Sequence, residues 1–207
     1  MIRIKSNSAL ILVDIQNDFC PGGSLAVRGG DDVIAIANSL QQEFPITIAT
    51  KDWHPTNHTS FASNHLGKKI GDVIKVHGID QILWPDHCIQ NTHGAEFHLQ
   101  LNTQNIQKIF YKGTNPEIDS YSAFFDNEHR RATRLGDYLH DINIKNVYIM
   151  GLATDYCVKY SCLDAVQLGF HTHIIQEGCR GVELHPGDIE KTLQELKNNN
   201  IELLFFN

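Results

Sequence analysis

Apolar residues in this chain fall into two recurring patterns: short unbroken runs, and longer stretches at helical spacing. Ala9–Leu10–Ile11–Leu12–Val13 is an unbroken run, the mark of a strand buried on both faces. From Asp31 onward, Val33, Ile36, Ala37, Leu40 and Phe44 recur at helical spacing behind an acidic start. Ile46–Thr47–Ile48–Ala49–Thr50 predicts a second strand and Ile106–Gln107–Lys108–Ile109–Phe110–Tyr111 a third. Asn146–Val147–Tyr148–Ile149 predicts a fourth, residues 171–176 a fifth and 201–206 the last. Further helices are predicted around 130–141, burying Leu135, Tyr138 and Ile142, and over 158–166. Another carries Ile189, Leu193 and Leu196 on one face.

Strand and helix in alternation predict an α/β fold, a single three-layer domain over residues 1–207. Its six-stranded sheet is mainly parallel and flanked by helices. One stretch breaks the rhythm. Residues 53–105 carry no strand–helix unit and are far longer than an ordinary connection. Their apolar and aromatic anchors, among them Phe61, Ile74, Val76, Ile79, Ile82, Leu83, Trp84 and Phe97, predict an ordered, packed insertion.

Composition narrows the picture at a few points. A chain of 207 residues can bury a full core without disulfide help. A net charge of -7 argues against nucleic acid and anionic membranes as partners. The five cysteines are odd in number and lack paired spacing, so no disulfide framework is expected. No apolar run has signal-peptide or membrane-span character, which points to the cytoplasm. Twelve histidines are unusual, and several of them fall in the 53–105 stretch.

In a parallel sheet the ligand sits beyond the carboxyl ends of the strands, near the switch in strand order. Asp14, Asp52 with His54, Lys112 and Cys157 each follow a predicted strand and share that edge. Taken singly, Asp14 reads as a solvated strand end and Lys112 as a surface lysine, while Cys157 reads equally as an inert core cysteine or a nucleophile. Their joint placement is much harder to reach by accident. Cys157 falls in the first turn of a helix that springs from a strand, where unpaired N–H groups and the helix dipole favour a nucleophilic thiolate. Asp52 and His54, two residues apart in an extended segment, face the same way, as two ligands of one metal would. His87, within Trp84–Pro85–Asp86–His87–Cys88, is the best third ligand. His58 is either an extra ligand or a hydrogen-bonding neighbour of a bound water. Cys162 lies with Val158 and Val166 on the packed face of its helix.

Val13–Asp14–Ile15–Gln16–Asn17–Asp18–Phe19, Lys51–Asp52–Trp53–His54–Pro55, Trp84–Pro85–Asp86–His87–Cys88, Lys112–Gly113–Thr114 and Gly151–Leu152–Ala153–Thr154–Asp155–Tyr156–Cys157–Val158 occur in that order. Together with Asp119–Ser120–Tyr121–Ser122–Ala123–Phe124, they resemble the signatures of nicotinamidases, cysteine amidohydrolases of the isochorismatase-like superfamily. The resemblance runs from about Ala9 to the last strand. It implies an isochorismatase-like fold and hydrolysis of nicotinamide to nicotinate and ammonia through a cysteine thioester, in NAD salvage. Pyrazinamide is the implied analogue substrate, and a homo-oligomer is compatible with it.

By the same resemblance, Cys157 is the nucleophile, Asp14 its proton acceptor and Lys112 the cation beside both. The backbone N–H groups of Ala153 and Cys157 form the oxyanion hole, with a cis peptide between Leu152 and Ala153. Asp52, His54 and His87 hold one divalent metal, zinc or iron, that binds the pyridine nitrogen. Phe19, Trp84 and Tyr121 wall the ring. Three other readings use the same residues: a cysteine hydrolase for another small amide or carbamoyl compound, a hydrolase whose metal-bound water attacks, and a non-enzymatic thiol sensor.

Overall fold

The unbroken apolar runs at 9–13 and 146–149 become strands whose side chains are buried on both faces. In the computed structural model, which describes residues 4–206, β1 (Ser8–Val13) has every residue buried. Helix α1 (Asp32–Leu40) turns Val33, Ile34, Ala37 and Leu40 inward, and β2 (Thr47–Asp52) follows. Two short strands, β3 (Val73–Val76) and β4 (Ile79–Ile82), form an antiparallel hairpin within the 53–105 segment. Its turn residues His77 and Gly78 both have positive φ (49° and 93°), the backbone of a tight two-residue hairpin loop. The hairpin escapes the hydrophobic pattern because its side chains are only half covered.

The chain returns to the main sheet with β5 (Ile106–Lys112), α2 (Leu135–Asp141) and β6 (Asn146–Leu152). It continues with α3 (Lys159–Gln167), β7 (His171–Arg180), α4 (Asp188–Asn198) and β8 (Glu202–Leu204). Helix α2 buries Leu135 and Leu139, while Ile142 lies past its end at 38% exposure, against the inward position predicted for it. Strand β7 runs four residues beyond its predicted end at 176, across a register shift opposite Ile149–Gly151.

Strand order is β5-β2-β1-β6-β7-β8, and every pairing is parallel. The order reverses direction between β1 and β6, so the switch point falls between Val13 and Gly151, which are register partners. The β1–α1–β2 crossover runs one way along the sheet and β6–α3–β7–α4–β8 the other. Right-handed crossovers therefore put α1 on one face and α3 and α4 on the opposite one. The core joins β1, β6 and the inner faces of these helices, with Leu10, Ile11, Leu12, Val147 and Ile149 fully buried. Gly151 is required at the switch: a Cβ there would lie 2.1 Å from the Val13 carbonyl oxygen. Among the described residues no helix is long and apolar enough to cross a membrane.

Candidate active site

Three side chains meet at the switch point. Asp14 follows β1, Lys112 ends β5, and Cys157 sits in a π-helical turn (Thr154–Val158) between β6 and α3. Lys112 is almost wholly buried, and its Nζ reaches four partners. It lies 2.9 Å from Asp14 Oδ2 and 3.3 Å from Cys157 Sγ, and it donates to Asp52 Oδ1 at 2.8 Å and to the Ser120 carbonyl at 2.9 Å. Burial alone would strip its proton, but the Asp14 and Asp52 carboxylates hold its pKa well above the usual lysine range. Lys112 is a fixed cation.

The acid and the thiol behave differently. Burial raises the pKa of Asp14, with Lys112 pulling against it. Burial also pushes the Cys157 thiol well above its ordinary value; Lys112 opposes this, and Asp14 and Asp52 reinforce it. Burial thus works against the thiolate that a helix N-terminus would favour. The Asp14 and Asp52 carboxylates share the one ammonium with the sulfur, which sets them in competition with a thiolate for its charge. An Asp14 carboxylate oxygen lies within 4.8 Å of Sγ, near enough to accept the thiol proton.

The turn around the cysteine departs from an ordinary helix start. The Ala153 carbonyl accepts from the N–H groups of Tyr156 and Val158, each at 3.1 Å, and Cys157 N–H is not among its donors. The peptide bond between Leu152 and Ala153 is cis. Asp155 accepts from the N–H groups of Val182 and Glu183 at 2.9 and 2.7 Å, tying the loop after β7 to this turn.

Asp52, His54 and His87 converge beside Lys112. Asp52 Oδ2 lies 3.2 Å from His54 Nε2 and 3.6 Å from His87 Nε2. His54 Nδ1 lies 2.9 Å from the Gly113 carbonyl, and His87 Nδ1 lies 2.7 Å from that of Pro85. A carbonyl only accepts, so both Nδ1 atoms carry a hydrogen, and in the neutral rings both Nε2 atoms present lone pairs. His54 Nε2 is buried without a hydrogen-bond partner. Imidazoles oriented by carbonyls, with bare nitrogens gathered at a carboxylate, fit a divalent cation. Gly113 makes the arrangement possible, since a Cβ there would lie 2.4 Å from the His54 ring.

His58 differs. Its Nδ1 lies 2.7 Å from Ser60 Oγ and 3.3 Å from Ser60 N, and its buried Nε2 has no hydrogen-bond partner. It also forms, with His54 and Asp119, a second set of donors able to hold a cation. Burial and neighbouring His54 hold it neutral, with a pKa pushed down to about 4.

Between the two groups opens a cleft of about 350 Å³, lined by Phe19, Trp84, Tyr121, Tyr156, Ala153, Cys157, Asp52, His87 and Asp119, with Leu25 and Val182 at its margin. Tyr121 accepts from Trp84 Nε1 at 3.0 Å, and Tyr156 packs edge-on against both rings. The walls are largely aromatic, with the thiol, the Asp52 carboxylate and the His87 imidazole as polar groups among them, a lining for a flat ring carrying a polar substituent.

Four contributors carried no assigned role at the level of sequence. Asp119 is buried and accepts from Ser120 N at 2.8 Å and Gln81 Nε2 at 3.2 Å. Tyr156 directly precedes the cysteine. Gln16 pairs its side-chain amide with both backbone groups of Asp52, at 2.8 Å each. Thr50 donates to Asp14 Oδ1 at 2.6 Å. For Gln16 and Thr50 the available signal was polarity at a strand end otherwise devoted to apolar residues.

The family model described as the isochorismatase domain matches residues 8–202. The chain belongs to the isochorismatase family. Within that family it is 50% identical to the nicotinamidase of Escherichia coli (strain K12), over 91% of this chain and 90% of the relative. A solved nicotinamidase and pyrazinamidase from Acinetobacter baumanii superposes with a TM-score of 0.94 at 45% identity, covering 97% of both chains. The pyrazinamidase of Pyrococcus horikoshii, solved in complex with zinc, is 36% identical with a TM-score of 0.78, covering 97% of this chain and 99% of that one. The single parallel sheet flanked by helices is the fold of this isochorismatase family.

Proposed function

We propose that this protein hydrolyses nicotinamide to nicotinate and ammonia, with pyrazinamide as an analogue substrate. The carrying observation is that one buried ammonium, Lys112, touches both a carboxylate and a thiol beneath an aromatic cleft. An amide is a poor electrophile. Its cleavage needs a strong nucleophile, a proton for the leaving amine and a stabilised oxyanion.

Asp14 takes the thiol proton as Cys157 Sγ bonds to the carboxamide carbon and the carbonyl π electrons move to oxygen. The N–H groups of Ala153 and Cys157 receive that oxyanion. The proton on Asp14 then passes to the amide nitrogen, the C–N bond breaks and ammonia leaves, giving a thioester. Water, deprotonated by Asp14, attacks the thioester, releasing nicotinate and restoring the thiol. Lys112 stays charged throughout and keeps Asp14 and Sγ within reach of one another. Splitting the hydrolysis through a thioester replaces one difficult step with two easier ones.

Asp52, His54 and His87 hold one divalent metal, zinc or iron. When bound, it supplies a Lewis acid for the pyridine nitrogen. His58, whose ring lies beside that of His54, either adds a further ligand or serves as the hydrogen-bonding neighbour of a bound water. Phe19, Trp84 and Tyr121 wall the ring. The 53–105 segment then acts as a metal-side insertion in one domain over residues 1–207. In the reducing cytoplasm, where free cysteines persist, the nicotinate produced feeds NAD salvage.

The test is ammonia release by the metal-loaded protein from nicotinamide, pyrazinamide, an aliphatic amide and a carbamoyl compound. Release from nicotinamide with the highest kcat/KM is expected. Release from none of them overturns the reading in favour of a thiol sensor, and preference for the carbamoyl compound reassigns the substrate.

A further inference from the structure

The β1–β2 backbone register runs as far as Leu12 opposite Ala49, and just beyond it, two residues on from Leu12 and one on from Ala49, side chains take over the pairing. There Asp14 N–H donates to Thr50 Oγ1 at 3.3 Å, and Thr50 Oγ1 donates to Asp14 Oδ1 at 2.6 Å. Both residues are fully buried. A hydroxyl has one hydrogen, and because the Asp14 N–H can only donate, that hydrogen goes to Oδ1. Asp14 Oδ1 is thereby capped. Its Oδ2 is buried, has no aligned hydrogen bond, and lies 2.9 Å from the same ammonium that touches Sγ.

We propose that Thr50 is a positioning residue for the reaction: it fixes the Asp14 carboxylate so that Oδ2 receives the thiol proton. The inference rests on Asp14 being the proton acceptor. As Sγ bonds to carbon, the S–H proton moves to Oδ2, and it moves from Oδ2 to the amide nitrogen as the C–N bond breaks. The Thr50 proton never leaves Oγ1.

The need for such a residue lies in the aspartate itself. The χ2 torsion of aspartate is broad and nearly two-fold, so an untethered carboxylate swings its oxygens through many orientations. Asp14 also has φ of 50°, a left-handed backbone uncommon for a residue other than glycine, which only surrounding contacts maintain. Thr50 grips both ends of the residue, the N–H and Oδ1. It does not line the cleft.

The test compares Thr50→Val, Thr50→Ser and Asp14→Asn in metal-loaded protein, with kcat, KM, bound metal and melting temperature measured for each. Valine keeps the shape and β-preference of threonine and removes the hydroxyl. Expected is a fall in kcat of about 10- to 100-fold for Thr50→Val with KM changed less than about twofold, the scale set by a misplaced catalytic group. Thr50→Ser should return kcat to within about threefold of the parent, and Asp14→Asn should be inactive. Where the valine variant does not fold, Thr50→Ala carries the same expectation. Undiminished kcat in Thr50→Val beside an inactive Asp14→Asn overturns this inference alone. An active Asp14→Asn overturns the assignment of the base as well. Loss of metal from Thr50→Val, or an equal fall in kcat for Thr50→Ser, marks a purely structural role and overturns the proposal.

Discussion

Asp14 and Cys157 leave β1 and β6, strands in which every residue is buried. Trp84 and His87, which also line the cleft, and His58 lie on irregular chain between β2 and β5, which exposes Leu66 and Ile70. That irregular chain is held by isolated backbone pairs: His54 N–H to the Cys88 carbonyl at 3.0 Å, and Trp84 N–H to that of Ser60 at 2.8 Å. Burial of continuous apolar strands fixes one wall from within. The other wall brings His54 Nε2 and His58 Nε2 into the interior without partners, a cost that a bound cation would offset at His54. The strand-end wall should therefore keep its shape with or without metal, and the loop wall should not.

The largest effect separates chemistry from architecture. Cys157→Ala should lose ammonia release by more than about 10⁴-fold, the scale seen on removing a nucleophile that acts with its partners as one unit. The same variant should retain its metal. His87→Ala should lose the metal and raise KM while Cys157 stays in place. Turnover by Cys157→Ala would move the nucleophile from the strand-end wall to a metal-bound water, and the division between the walls would fail.

Metal removal tests the same division in stability. A ligand present at about 100 times its Kd stabilises the fold by about 2.7 kcal/mol, so chelation should lower the melting temperature by several degrees. Hydrogen exchange should quicken across 53–105 and remain slow in β1 and β6. A uniform rise across the whole chain would mean that the two walls unfold as one unit.

Gln16 joins the walls. It follows β1, yet its amide pairs with both backbone groups of Asp52 and also donates to the Ala95 carbonyl at 2.9 Å. Gln16→Ala leaves the buried Asp52 N–H and the Ala95 carbonyl without their partner. It should cost about 1–3 kcal/mol in stability by thermal or urea unfolding, with weaker metal retention. Gln16→Glu, which keeps an acceptor for Asp52 N–H and loses the donor, should fall between. Equal metal affinity in all three proteins would show that the insertion positions Asp52 unaided.

The strand-end wall was the legible one. Unbroken apolar runs such as 9–13 and 146–149 have one sensible reading, and the residues that follow them share an edge once the sheet is parallel. The motif order carried the rest. What stayed hidden depends on contacts between positions far apart in the chain. Thr50 on Asp14 and Gln16 on Asp52 both span 36 residues, and a polar side chain at a strand end reads alone as solvated. The β3–β4 hairpin hid because half-covered strands leave a weak alternation, and its His77–Gly78 turn is not the Asn-Gly or Asp-Gly pair that announces such loops. The upward push on the thiol pKa hid for another reason. A helix terminus can be read locally, whereas burial beside two carboxylates is a property of the assembled site.

The smallest effect asks whether the sheet has a weak point far from both walls. His173 on β7 stacks on Tyr148 of β6 with ring centroids 4.3 Å apart, and its Nδ1 lies 3.0 Å from Glu202 on β8. Burial pushes its pKa below the ordinary histidine value, and the Glu202 carboxylate only partly offsets this. The folded protein therefore resists protonating this ring, while the unfolded chain takes up a proton below about pH 6.5. Stability is fully present above that unfolded pKa and is lost as pH falls through the folded one. Melting temperatures measured at pH 7.5 and 5 should fall further for the parent than for His173→Gln, which has no proton to gain. The difference should not exceed about 2–4 °C, the scale of 1 kcal/mol in a chain of this length. If the two proteins lose the same amount, acid sensitivity lies in the carboxylates and histidines around the cleft, and the far edge of the sheet is as insensitive to acid as its centre.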